Sequence, residues 1–278
     1  MKLGIFAKTF SGSDPRIVLL AARNAGYAAV QYNWACSGLA ALPQHIPTEH
    51  VEAVRLAGRQ CGVEISAVSA TYNMAHPDAS VRQSGLAALR AIAAAAPAMG
   101  TRLLTLCTGS RDAANQWRFH PENSSPEAWS VMRASMIAAL EIAERHNVDL
   151  GIEPELANIV STPALAQRLI DELKSPRLRI VLDAANLFEA APLAEQREIV
   201  SRGIELLADR ISIAHAKDRC AGARFTSAGN GVLDYPHYLE CLRRSGFTGP
   251  LITHGLAESE APRVAGFLSG LLSESSAR

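Results

Sequence analysis

The sequence predicts an α/β fold, a single (β/α)8 barrel that takes residues 1–278 as one domain. Eight short apolar runs recur along the chain, at 3–7, 28–32, 64–69, 102–107, 149–153, 179–183, 211–215 and 250–254. Each is followed by a helical stretch, and strict alternation of strand and helix implies a parallel sheet. The runs are nearly continuous in apolar character, as strands buried on both faces are. Eight such units in 278 residues close into a barrel more naturally than they spread as an open sheet. An open dinucleotide-binding sheet would carry G-x-G-x-x-G after its first strand, where this chain reads Lys8-Thr9-Phe10-Ser11-Gly12-Ser13.

The boundaries are also written in the sequence. Helical stretches end in Gly at Gly26, Gly62, Gly100 and Gly246, and in Asn at Asn147. These residues adopt the left-handed conformation that stops a helix. Starts are marked by Asp14-Pro15, Thr48-Glu49, Asp78-Ala79, Ser125-Pro126 and Thr162-Pro163, each a capping side chain before a helical run. Val264, Phe267, Leu268, Leu271 and Leu272 repeat at helical spacing, as do Met132, Met136, Ala139, Leu140 and Ala143. The tail from Ser273 onward reads as frayed.

Composition narrows the function. Lys plus Arg and Asp plus Glu are both 27, so no basic excess points to nucleic acid. The five cysteines form no CxxC pair, which argues against a zinc ribbon or a disulfide framework and fits a reducing, cytoplasmic setting. The most apolar stretch, 86–99, is interrupted by Arg90 and Pro97 and is too short to span a bilayer. A homo-oligomer is common among such proteins, but no patch in the sequence marks an interface.

Barrel enzymes carry their chemistry at the carboxyl ends of the strands. Here the last four expected strands end in Glu153, Asp183, His215 and His254. Any one of these is as readily a hydrogen-bonded loop residue; four in succession are not. Two carboxylates and two imidazoles make either a divalent-cation site or a metal-free acid/base site. Nearby strand ends deliver Lys8, Asn33, His76, Arg111, Trp117, Asn186 and Lys217, with Glu155 and Glu258 as further carboxylates. For Lys217-Asp218 an ion pair at the rim is as reasonable as a catalytic role. Cys107 reads as a buried small hydrophobe.

Gly151-Ile152-Glu153-Pro154, Val181-Leu182-Asp183, His215-Ala216-Lys217-Asp218 and Gly249-Pro250-Leu251-Ile252 resemble segments of the xylose-isomerase-like TIM barrels. That superfamily includes sugar isomerases, ketose epimerases, inosose dehydratases and the class-two apurinic endonucleases. The resemblance runs over the whole chain. It implies one divalent metal ion (Mn, Zn, Mg, Co, Fe or Ni), with Glu153, Asp183 and His215 in ligand positions. The family's fourth ligand is a Glu, and here that place holds His254. A His usually lies three residues after the metal Asp, and here it is Asn186. A second Glu usually lies six after the first, and here it is Ile159. Exchanging Glu for His removes a negative charge and favours softer cations over Mg²⁺.

The resemblance further implies an isomerase or epimerase of a small sugar or hydroxy-carbonyl compound, working through proton abstraction beside a metal-bound carbonyl to an enediolate. Glu153 is then ligand or base, His254 the opposing acid/base or fourth ligand, and Lys217 a stabiliser of negative charge. Lys8, Asn33, His76, Arg111, Trp117 and Asn186 are expected to line the substrate pocket, with Arg111 facing a carboxylate or phosphate. Dehydration from the same enediolate is the alternative, and a non-catalytic sugar-binding barrel is a third reading.

Overall fold

In the computed structural model, which describes residues 1–274, all eight apolar runs are parallel strands of one closed barrel. β1 (Lys2–Phe6), β2 (Ala29–Tyr32), β3 (Glu64–Ser69), β4 (Leu103–Cys107), β5 (Asp149–Glu153), β6 (Leu178–Asp183) and β7 (Ile211–Ala216) are neighbours in chain order. After β7 come β8 (Asp218–Arg219) and β9 (Phe225–Thr226), a short antiparallel ribbon outside the ring. Two-residue strands are too short for any periodic signal in the sequence. β10 (Pro250–Thr253) then closes the barrel between β7 and β1.

The helices are α1 (Pro15–Asn24), α2 (Thr48–Cys61), α3 (Ala79–Met99), α4 (Pro126–His146), α5 (Pro163–Leu173), α6 (Leu193–Leu207), α7 (Tyr235–Arg244) and α8 (Ala261–Glu274). Asp14, Asp78, Ser125 and Thr162 cap as expected, each side chain accepting a backbone N–H of the first turn. Thr48 does not. It is the first helical residue, and Pro47 before it holds the extended entry without a side-chain bond. Gly62, Gly100 and Asn147 end their helices in the left-handed conformation. Ser273, which the sequence places in a frayed tail, is helical. It belongs to α8, where its hydroxyl donates to the Ser269 carbonyl. The rest of the expected frayed tail, 275–278, lies outside the described residues.

Two cores result. The larger fills the space between strands and helices. The smaller, Ala67, Val181, Ile213 and Ile252 with Leu103, plugs the barrel itself. Gly4 leaves room for that plug, since a Cβ there would overlap the Ile252 side chain. Side chains two residues further along a strand point the same way. Above Val181 stands Asp183, above Ile213 stands His215, and above Ile252 stands His254. The plug thus serves as an apolar floor under a polar layer.

Candidate active site

Glu153, Asp183, His215 and His254 each offer a ligand atom, and the four atoms lie within 4.8 Å of one another. Asp183 and His215 are register partners across β6 and β7, so the sheet itself sets their approach. His254 is the first residue after β10 rather than its last, and its Nε2 lies 3.1 Å from Asp183 Oδ2. Asp183 Oδ1 accepts the Ala185 N–H, which leaves Oδ2 facing the cluster.

The donor set fits a divalent cation. His215 Nε2 is 2.9 Å from the side-chain oxygen of Gln31, so that nitrogen carries the proton. In the neutral ring the lone pair is then on Nδ1, which is buried and without a hydrogen bond, although Glu153 Oε1 is 3.4 Å away. An imidazole oriented from behind by an amide oxygen, with its free lone pair aimed at two carboxylates, is the arrangement of a metal-bound histidine. Gln31 is in turn fixed by its amide on Thr105 Oγ1. Its sequence signal is faint: a lone amide within the apolar run of β2.

Lys217 and Asn186 complete the polar layer. The Lys217 ammonium is 3.2 Å from Asp183 Oδ2 and 2.9 Å from Asn186 Oδ1, and it lies 3.7 Å from the centre of the Phe225 ring. The expected rim pair of Lys217 with Asp218 does not form. Asp218 is buried and accepts the N–H groups of Arg219, Gly229, Gly231 and Leu233, folding the loop after β7 around itself. The Asn186 amide nitrogen donates to Glu153 Oε1 at 2.8 Å and to Glu155 Oε2 at 2.5 Å. Asn186 is fully buried, so it orders carboxylates instead of lining the pocket.

Charge is finely apportioned. Burial alone would raise the Asp183 carboxyl, but Lys217, His254 and His215 outweigh it and hold the group well below the carboxylate range. Burial also opposes ionisation of Glu153, and His215 and Lys217 reverse it. Burial would lower Lys217, yet Asp183, Glu153 and Glu155 keep it charged. Glu155 differs: burial pushes it up to about 7, the neighbouring carboxylates add to this, and Lys217 compensates only in part. Burial and the nearby His215 lower His254.

These groups open into a cavity of about 410 Å³ lined by Glu153, Glu155, His215, Lys217, His254 and Trp117, with Phe6, Phe225 and Gly255 on one wall. This lies toward the small end of the range for ligand pockets, roughly 300–1,000 Å³. Trp117 is half-exposed at the mouth. Three expected lining residues are elsewhere. Asn33 caps the turn after β2, accepting the Ala35 N–H. His76 joins two loops through Ala113 O and the Asp78 N–H. Arg111 is engaged by Ala75 O and Glu122. Lys8 lines an adjoining cleft, and Glu258 accepts the Ser11 N–H at the rim. The strand-end rule placed all of them near the mouth but could not say which way each loop turns its side chain.

Polar groups gathered over the carboxyl ends of a closed parallel barrel occupy the place where barrel enzymes carry their chemistry. Residues 19–270 match the family described as xylose isomerase-like TIM barrel, and the chain belongs to that family. Among solved structures it is similar to 3-keto-D-glucoside 4-epimerase from E. coli, at TM-score 0.76 and 18% identity over 98% of this chain and 99% of that one. It is similar to an L-ribulose 3-epimerase at TM-score 0.76 and 16% identity, covering 98% and 95%. It is also similar to a probable 3-DHS dehydratase from Bacillus anthracis, at TM-score 0.75 and 12% identity, covering 97% and 99%. At these identities the likeness is one of fold. No curated protein matches the sequence. No described helix is long and apolar enough to cross a membrane.

Proposed function

We propose that this protein is a metal-assisted isomerase or epimerase of a small sugar or hydroxy-carbonyl compound. The observation that carries the reading is the unpartnered Nδ1 of His215, buried among Glu153, Asp183 and His254 on the floor of the cavity. When bound by these four residues, a divalent cation supplies Lewis acidity toward a carbonyl.

The remaining work belongs to the chain. Glu155 exchanges a proton with the carbon beside the carbonyl, its affinity for the proton matched to neutral pH by burial. The Lys217 ammonium, fixed by Asp183 and Asn186, faces the oxygen on which negative charge grows. Asn186 keeps the Glu153 and Glu155 carboxylates in register, while Trp117 and Phe225 offer apolar faces to the substrate. Dehydration is the second reading. It is favoured by the same carboxyl, because a group that is part-protonated at pH 7 can also protonate a departing hydroxyl.

The test is proton exchange in D₂O, followed by NMR across a panel of ketoses with added Mn²⁺ or Zn²⁺. Deuterium entering the carbon beside the carbonyl, and lost with Glu155→Gln, supports the reading. Loss of water from the product selects the dehydratase. No exchange with any ketose removes both.

A further inference from the structure

A second group of metal-binding residue types lies in the outer layer, in the crevice between α6 and α7. His237 and Cys241 are one helical turn apart on α7, and Ser201 faces them from α6. Residues four apart on a helix share a face, so the imidazole and the thiol point the same way. Asp234 caps α7 and accepts the His237 N–H, which fixes that first turn. All three side chains are half-buried, held by the packing of the two helices yet still reached by solvent. None of them lines the cavity over the barrel.

Their spacing is that of a coordination face. His237 Nε2 is 3.0 Å from Ser201 Oγ and 3.4 Å from Cys241 Sγ, and Oγ and Sγ are 3.5 Å apart. Nitrogen and sulfur ligands held about 2.0 and 2.3 Å from a tetrahedral zinc ion stand roughly 3.5 Å apart, and an oxygen ligand stands roughly 3.3 Å from the nitrogen. Only the Ser201 hydroxyl has to shift, by a few tenths of an ångström.

As a hydrogen-bond network the same triangle is oversubscribed. Nε2 has a third polar neighbour, the Arg197 carbonyl oxygen at 3.1 Å. A ring nitrogen carries one proton or one lone pair, so it serves one of these three neighbours well and the others poorly. A cation on the triangle serves the nitrogen, the sulfur and the hydroxyl oxygen together. The Arg197 guanidinium is paired with Asp234 and presents no free positive charge against it. Other cysteines lack this setting. Cys36 and Cys107 are buried, and burial pushes both thiols up, Cys36 to about 11. Cys61 directs its S–H to the Arg16 carbonyl.

We propose that Ser201, His237 and Cys241 bind a thiophilic divalent cation of the zinc class, one ion per chain, with water in the fourth position. The ion displaces the Cys241 thiol proton to solvent and takes the Nε2 lone pair of His237, whose ring proton then resides on Nδ1. It clips α6, which leads into β7, to α7, which leads into β10. The site is separate from Glu153, Asp183, His215 and His254 and is independent of the function proposed above. With two strong ligands against four it fills after the barrel cluster, and Mn²⁺, which thiolates do not favour, leaves it unfilled.

Cobalt(II) is the probe. A cobalt–thiolate bond gives an intense near-ultraviolet charge-transfer band, and the barrel cluster offers no thiolate to produce one. Co²⁺ is titrated into reduced, chelator-stripped full-length protein: wild type, Cys241→Ser, Cys241→Ala, His237→Gln and Cys220→Ser. The expected result is a thiolate band that saturates in the wild type and is erased by excess Zn²⁺. Both Cys241 variants should lose it, His237→Gln should need at least about tenfold more Co²⁺ to reach it, and Cys220→Ser should keep it unchanged. No band in the wild type with Co²⁺ in large excess overturns the site. So does a band that survives in either Cys241 variant, or one that His237→Gln leaves unmoved.

Discussion

His254 Nε2 lies 3.1 Å from Asp183 Oδ2, and the Lys217 ammonium lies 3.2 Å from the same oxygen. One buried carboxylate oxygen thereby joins the ends of β6, β7 and β10. Asp183→Asn keeps the shape but leaves a buried ammonium facing a neutral amide. Removing one partner of a buried charged pair is expected to cost about 3–5 kcal/mol. Urea denaturation checks it, and a loss below about 1 kcal/mol would mean that Lys217 finds another carboxylate without strain.

Glu155 gives the clearest pH signature. Its carboxyl is raised to about 7 in the fold, so the native protein binds more protons than the unfolded chain from the ordinary carboxylate range up to that value. Stability contributed through this group is therefore present at low pH and is lost as pH rises toward 7. Glu155→Gln removes that loss. At pH 8 the variant should be more stable than the wild-type protein by about 2–3 kcal/mol, with the gap closing by pH 4–5. Parallel stability profiles for the two proteins would show that Glu155 is ionised at no cost.

Asp218 holds the loop after β7 by four backbone N–H groups. Asp218→Ala orphans the buried N–H groups of Arg219 and Leu233 and leaves those of the exposed Gly229 and Gly231 to water, with an expected cost of about 2–3 kcal/mol. Because that loop carries Phe225, hydrogen exchange should quicken over 218–233 before the barrel strands open. Protection unchanged in that segment would be the contrary result.

The eight barrel strands were legible to within one residue at every end, because a strand buried on both faces reads as an apolar run and the residues after it as polar. Glu153, Asp183, His215 and His254 stood out for the same reason: strand ends are where barrel order converts sequence spacing into proximity. The parts that were not legible depend on loop geometry. Asn186 is a site residue by position, yet it turns inward to bridge Glu153 and Glu155. His76 and Arg111 are the right residue types at the right strand ends, but backbone carbonyls on neighbouring loops take their side chains. Gln31 lies within a strand, where a single polar residue carries no periodic signal. Lys217 and Asp218 are adjacent and opposite in charge, yet alternation along the extended chain sends one toward Asp183 and the other into its own loop.

The central claim is that the four-residue cluster holds a divalent cation, and calorimetric titration of Zn²⁺ and Mn²⁺ into chelator-stripped protein tests it most directly. His254→Gln serves as the comparison, because His254 lies at the edge of the cluster and its loss leaves the Asp183–Lys217 pair intact. The account predicts near-stoichiometric binding that is weakened at least about tenfold in the variant. Heat of dilution alone, for both metals and both proteins, would contradict it.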